Sequence, residues 1–514
     1  METVRGGRPR TVFPRPYAGA ENKKFFHRQK NGGSPYQIRL NYATIIPVYY
    51  KNMGEGAAGM RRGALRLTAL TLALACGLSG CFFCAADDLY SVPDLPEEYL
   101  NLQTKLSEAV SAGGEYAAPL GGEYIQSVQL QDLDGDGVRE ALAFFRFTND
   151  EKPMKIYIYR QVKGSYQEMA VIEGAASAIS SVDYVQMNAD PAKEIVVSWQ
   201  MGEKVHSVSA YAVSPGSVSE LVKANYDSYK LCDIDQDGEQ ELVVLRTQTA
   251  GAAPVAELYN AKNGEIALED TVSLSAGVTS VAAGGMRMGQ LRGGGSALFV
   301  FSRYGEKGSV TDILLWRDGD LQNISMDAAT GDSTETIRYY TQVTGSDING
   351  DSIMELPQPE PLPDYKPSSA ATNFWLINWR QYDEQGTAWP VFTTYHNDQD
   401  GWYFVVPETW VGQLTLSRSD LPGGGERAVT FSLWNGDDGQ IPSPFLVIYK
   451  LTGDNRATRA TIGKRFLLSP SQTGSGALPE TLYAAEFVGT WDCGLTQDQV
   501  RENFALIKTD WAAN

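Results

Sequence analysis

An acidic nine-residue loop recurs through the middle of the chain and limits its fold more than any other feature. Asp132-Leu-Asp134-Gly-Asp136-Gly-Val138-Arg-Glu140 runs into ALAFFRF, Asp233-Ile-Asp235-Gln-Asp237-Gly-Glu239-Gln-Glu241 into LVVLR, and Asp347-Ile-Asn349-Gly-Asp351-Ser-Ile353-Met-Glu355 into LPQP. Two weaker copies lie between them. Gln186-Met-Asn188-Ala-Asp190-Pro-Ala-Lys-Glu194 leads into IVVSW, and Met288–Ser296 leads into ALFVF with every acid lost. The third positions fall at 134, 188, 235, 290 and 349, a stride of 47 to 59 residues. A stride of this size is the mark of stacked supersecondary units.

Each copy sits between strand-like runs, and further short strands follow in each period, such as KIYIYR, VSAYAV and DILLWR. About four short strands per unit, separated by Gly- and Asn-containing turns, predict blade-like sheets that bury their faces against neighbours. The expected fold is therefore mainly β: a β-propeller of about five blades over 115–398, followed by a small α+β domain over 399–514.

The loop itself has a chemical logic. Carboxylates or amides at positions 1, 3 and 5, a backbone carbonyl at 7 and an acid at 9 can wrap a hard cation in oxygens, as calcium requires. The candidate ligands are Asp132, Asp134, Asp136, Val138 and Glu140; Asp233, Asp235, Asp237, Glu239 and Glu241; and Asp347, Asn349, Asp351, Ile353 and Glu355. Glycine at position 6 permits the turn that gathers the acids. An EF-hand is excluded because position 12 holds Ala143, Val244 and Gln358 where a bidentate Glu is required, and because the flanks are strands. A dockerin-like pair fails for want of helices. Ion-free Asp/Asn/Gly turns remain the competing reading. Counting oxygen ligands puts the first and third copies ahead of the fifth, the second well behind and the fourth last.

The D-x-D-x-D-G-x-x-E loops followed by apolar strands resemble the FG-GAP/VCBS repeat family, over about 120–360. The resemblance implies propeller blades with structural calcium at their edges. The Phe-Gly and Gly-Ala-Pro signatures of that family are missing here, which separates the chain from integrin-like ligand recognition.

Upstream, Met60-Arg61-Arg62, an apolar run from Leu67 and Leu78-Ser79-Gly80-Cys81 have the three-part layout of a secretory signal whose end resembles a bacterial lipobox. Lipidation of Cys81 is the expectation, with an uncleaved signal anchor as the alternative, since Leu67–Ala86 holds no charge. Either way the remainder is exported and held at the membrane on its extracytoplasmic face. Residues 1–59 read as an over-called, disordered extension ahead of a start at Met60, and 81–93 as a tether.

A helix over 94–114 is expected to pack on the propeller through Leu95, Tyr99, Leu102, Leu106 and Val110. Pro357–Pro367 reads as a segment that a strand interior would reject. NFWLINW and WPVFTTYH then finish the last blade. At the C-terminus, Thr496-Gln-Asp-Gln499 is a capping-box start for a helix with Val500, Phe504, Ile507 and Trp511 on one face.

Charge and composition narrow the function. The chain carries 43 basic and 62 acidic residues, and 81–514 alone carries 30 and 59. Such a balance repels phosphates, so nucleic acid is excluded as a partner. The only histidines beyond residue 80 are His206 and His396, far apart and read as surface or satisfied side chains. No nucleophile elbow or phosphate-binding loop occurs. Trp375, Trp379, Trp389, Trp402 and Trp410 read mainly as core, Cys232 as a small buried apolar residue, and Cys84 and Cys493 have no evident partners. The reading that follows is a lipid-anchored binding protein with a calcium-stabilised propeller that recognises a protein or glycan. The alternative is a secreted hydrolase of polysaccharide or peptide, using acids in a central channel.

Overall fold

The computed structural model describes residues 97–507 apart from 248–251, 263–264, 364, 366–373, 422–423, 435, 438 and 469–478. The signal segment, Cys81 and Cys84 lie outside the described residues, as does Trp511. No helix among the described residues is long and apolar enough to cross a membrane.

The described chain is mainly β, in six antiparallel sheets. Sheet 1 holds β1 (Glu115–Tyr116), β2 (Val128–Gln131), β3 (Glu140–Arg146), β4 (Met154–Val162) and β5 (Ser165–Gly174). Sheets 2 to 4 are four-stranded meanders. Sheet 2 is β6 (Ala178–Val185), β7 (Glu194–Gln200), β8 (His206–Ser214) and β9 (Ser217–Tyr226). Sheet 3 is β10 (Ser228–Cys232), β11 (Glu241–Arg246), β12 (Val255–Lys262) and β13 (Glu265–Ser273). Sheet 4 is β14 (Val278–Gln290), β15 (Ser296–Tyr304), β16 (Gly308–Arg317) and β17 (Asp320–Asn323). Sheet 5 contains β18 (Glu355–Pro361), β19 (Trp375–Tyr382), β20 (Ala388–Asn397) and β21 (Trp402–Val406). Sheet 6 follows with β22 (Leu414–Leu421), β23 (Glu426–Leu433), β24 (Ser443–Thr452), β25 (Phe466–Leu467) and β26 (Thr481–Phe487).

The strand after each of the first four loops is apolar on both faces because both are covered, by helix α1 and sheet 2 for β3 and by a sheet on either side for the other three. Alternation then decides which seam each side chain enters. Val197 of β7 packs with Phe144 and Ile156 of sheet 1, whereas its neighbour Val196 packs with Leu242 and Val244 of sheet 3. Val243 and Leu245 turn the other way, onto Leu298 and Val300 of sheet 4. Phe299 and Phe301 join Leu356 and Tyr382 of sheet 5. Three sheets also share a register shift between their last two strands, each beside a tyrosine: Tyr159, Tyr211 and Tyr259.

The two ends of this series are covered differently. Helix α1 (Glu97–Ser111) lays Leu102, Leu106 and Ala109 on Ala141, Ala143 and Phe145 of sheet 1. Val110, expected on that face, is exposed, and Ala109 takes its place. Sheet 6 covers sheet 5, with Phe431 and Phe445 against Trp402, Phe404 and Trp410. Among the described residues no apolar cluster joins sheet 1 to sheet 5.

Three expectations need correction. Strand β21 pairs with β20, so sheet 5 runs past the boundary expected at 398/399. Pro357, Pro359 and Pro361 lie inside β18, pairing with Trp379, Ile377 and Trp375. A strand accepts them because β18 is an edge and all three share one parity, which turns their missing N–H groups away from the ladder. The C-terminal helix has its capping box at Thr496 and Gln499 but ends at Asn503; Phe504–Leu506 becomes β27, paired with β21. The short helix α2 (Arg456–Arg459) precedes β25, and α3 is Gln497–Asn503.

Candidate metal centre

All five loops occupy one position: each ends at position 9, which begins strand β3, β7, β11, β15 or β18 and pairs back across the loop. Gln131↔Glu140, Val185↔Glu194, Cys232↔Glu241 and Gln290↔Ser296 are paired across the loop mouth. In sheet 5 the isolated bridge Ser346↔Glu355 does the same. Four loops therefore span eight residues, and the fourth is cut to Leu291–Gly295, shorter than the nine-residue frame over Met288–Ser296.

The position-9 glutamate is a feature that the ligand count understated. Glu140, Glu194, Glu241 and Glu355 are all buried. Each accepts the backbone N–H of position 2 through Oε2: Leu133 (2.9 Å), Met187 (2.8 Å), Ile234 (2.9 Å) and Ile348 (2.9 Å). The position-2 side chains are buried apolar anchors. This clamp is common to loops rich and poor in acids, so it belongs to the fold before it belongs to any ion.

Around the clamp, carboxylates fold the loop with their own backbone. Asp132 Oδ1 accepts Gly135 N at 2.8 Å and Oδ2 accepts Gly137 N at 3.1 Å. Asp134 and Asp136 each accept the N–H two residues on, as do Asp235, Asp237, Asn349 and Asp351. The N–H groups of Val138, Glu239 and Ile353 are held in this way at position 7. Positions 4 and 6 have positive φ in all three acidic loops: Gly135 and Gly137, Gln236 and Gly238, Gly350 and Ser352. The second loop has Pro191 at position 6, whose ring fixes φ near −65° and forbids that path.

The structure brings Asp132, Asp134 and Asp136 together, likewise Asp233, Asp235 and Glu241, and Asp347, Asp351 and Glu355. In each group one oxygen per residue lies within 4.8 Å of the others, so each could hold a metal ion. Glu140 and Asp237 stand outside these groups.

The three loops differ in what already occupies the oxygens. In the third copy Asp233 Oδ1 and Glu241 Oε1 are buried with no hydrogen-bond partner, which a cation would supply. Burial, with Asp235, Asp237 and Asp233 nearby, pushes the Glu241 carboxyl up to about 8. In the fifth copy Gln381 donates Nε2 to Glu355 Oε1 (2.6 Å) and Asp351 Oδ2 (2.8 Å), and Asn349 Nδ2 also reaches Asp351 Oδ2 (3.0 Å). Burial still raises Glu355, to about 7. In the second copy Asn188 Nδ2 sits on Glu194 Oε1 at 2.6 Å. Amide donors thus stand where a cation would, fully in the second loop and in part in the fifth. The third loop leaves the most buried oxygen free for a cation, and the first offers three carboxylates with no amide among them.

The other sequence candidates fall as follows. His396 is neither at the surface nor satisfied: it is buried between Trp379 and Tyr403, its Nε2 is unpartnered, and burial lowers it to about 3. Trp379, Trp402 and Trp410 are core, while Trp389 is exposed, with the Arg292 guanidinium over its ring. Cys232 and Cys493 are buried and free, and burial pushes the Cys232 thiol up to about 12.

Comparison with known proteins gives little beyond this. No family model matches the chain, and no curated protein matches it. Among solved structures, a Bacillus licheniformis rhamnogalacturonan lyase aligns at 11% identity and TM-score 0.27, covering 52% of this chain and 64% of its own. An exotype rhamnogalacturonan lyase aligns at 13% identity and TM-score 0.22, covering 63% of this chain and 73% of its own. The chain thus spans just under two thirds of the first structure.

Proposed function

We propose that this chain is an exported binding protein, tethered through lipid on Cys81, whose first five sheets are propeller-type blades stiffened by calcium at their acidic loops. Similarity to FG-GAP/VCBS repeats supports this reading, as does the common placement of the loops, each ending on the first residue of a buried or edge strand of its sheet. The blades would stack in series about a shared hub, with helix α1 and sheet 6 on the two terminal faces. The observation that carries the reading is the pair of orphaned buried oxygens, Asp233 Oδ1 and Glu241 Oε1, beside Asp235. Buried acceptors without donors are rare in folded proteins.

Calcium here is structural: it would neutralise crowded carboxylates and fix the loop against the sheet, with the exposed loops and sheet edges left for a protein or glycan partner. Thermal melting of the purified protein with calcium or with a chelator tests the reading. A calcium-dependent rise is expected, because a ligand that binds only the folded state stabilises it. A melting point indifferent to chelation would remove the ion. Globomycin treatment or mass spectrometry of the mature N-terminus tests the lipid on Cys81.

A further inference from the structure

A second polar site lies away from the oxygens of the acidic loops, in a cavity of about 380 Å³ between sheet 4 and the segment that leads into the fifth loop. Its lining includes Ser302, Arg303, Lys307, Ser309 and Arg338. Arg338 is 5% exposed, yet no carboxylate pairs with it among the described residues. Among the described residues its one side-chain hydrogen bond runs from Nη1 to the buried Thr311 hydroxyl, at 3.2 Å. Three buried polar atoms of this lining have no partner: Arg338 Nε, Ser302 Oγ and Ser309 Oγ.

A buried cation without a counter-charge costs several kcal/mol, and an arginine is too basic to escape by losing its proton. The fold nonetheless fixes it there. Arg338 and Ser309 exchange backbone hydrogen bonds at 2.8 Å each way, which fixes the main chain that carries the guanidinium to the cavity wall. Arg303 and Lys307 add positive charge at the exposed rim against the single acid Glu306. This is a local cationic site on a chain whose net charge is −19.

We propose that this cavity binds a small polar anion, a sugar-sized polyol bearing a carboxylate or phosphate, with the oxyanion on Arg338 and the Ser302 and Ser309 hydroxyls. Arginine suits both oxyanions through its planar fork. A cavity of this volume accommodates a body larger than a bare ion. Thr341, Gln342 and Thr344 line it with groups that can bond hydroxyls. Tyr339, 71% exposed, lies beside Gly308 of the same wall. The site goes beyond the calcium reading and does not depend on it.

The test is calorimetric titration of the full chain at constant ionic strength, in calcium and again in chelator, with glucuronate, glucose 6-phosphate, glucose and inorganic phosphate. One or both sugar anions should bind with unit stoichiometry in both buffers, and glucose should not. Which of the two binds more tightly assigns the oxyanion. Because Arg338→Met removes a buried group and can unfold the chain, Ser302→Ala and Ser309→Ala serve as the main variants. Each should keep or raise the ligand-free melting point and weaken binding about tenfold, the worth of one hydrogen bond to a charged group. Arg303→Ala with Lys307→Ala should weaken binding and flatten its salt dependence. Absence of binding by either sugar anion overturns the proposal, as does binding unchanged in the serine variants. Inorganic phosphate binding as tightly as the sugar anions overturns the sugar-sized ligand.

Discussion

The loops at Gln186–Glu194 and Asp233–Glu241 share a place in the fold and a buried glutamate clamp, yet their chemistry diverges. In one, Asn188 satisfies the spare glutamate oxygen at 2.6 Å and Pro191 fixes the backbone. In the other, Asp235 replaces the amide, Gly238 takes φ +97°, and two buried oxygens are left without donors. The contrast separates two jobs that the sequence pattern runs together. The glutamate ties each loop to its sheet, and only the other acids decide whether a cation is wanted.

The largest expected effect tests the shared part. Glu194→Ala and Glu241→Ala should each cost about 3 kcal/mol, from an orphaned backbone N–H plus lost packing. Urea unfolding in chelator should give similar losses for both, and a loss confined to the third loop would break the comparison. The divergent part comes next. Asp235→Asn should abolish the calcium-dependent gain contributed by the third loop, about 2.7 kcal/mol at a hundredfold excess over Kd. Asp190→Asn in the second loop should leave that gain intact.

Acidity must be controlled in both measurements, because His396 titrates too. Its folded pKa, about 3, lies below the ordinary histidine value, so the unfolded chain binds the proton first. The stability it supports is complete above about pH 6.5 and falls by about 1.4 kcal/mol per pH unit between there and pH 3. His396→Phe should flatten that part of a stability-against-pH curve. The smallest effect concerns the backbone. Gln236→Gly and Ser352→Gly should each add about 1 kcal/mol to the denaturation free energy by removing a left-handed non-glycine residue. Ala189→Gly, at the equivalent place in the second loop, should lower it by about 0.5–1 kcal/mol.

Repeat stride, strand content and the acid clusters were legible because each depends on local spacing. The double-sided apolar runs, such as EIVVSWQ, already announce strands buried between sheets. What was not legible depends on partners distant in sequence. Gln381 enters the fifth loop from 26 residues beyond Glu355, and nothing local marks it as a donor to that carboxylate. The prolines of β18 read as a strand breaker until the neighbouring strand lies on one side only. Phe504 has the spacing of a helix face, but pairing with β21 overrides it. Arg338 carried no signal at all, since an unpaired buried charge is defined by what fails to surround it.

The return of β27 to sheet 5 has a consequence for the order of assembly. Its pairing strand, Trp402–Val406, emerges about a hundred residues before Phe504–Leu506 arrives to cover it. During synthesis, that edge stays open while the whole of sheet 6 is made. A chain stopped just short of Phe504 would hold nearly all of its core and still present a bare ribbon to its neighbours. Pairing of β27 thus follows the making of sheet 6, and proteolytic removal of Phe504–Leu506 would bare the edge of β21.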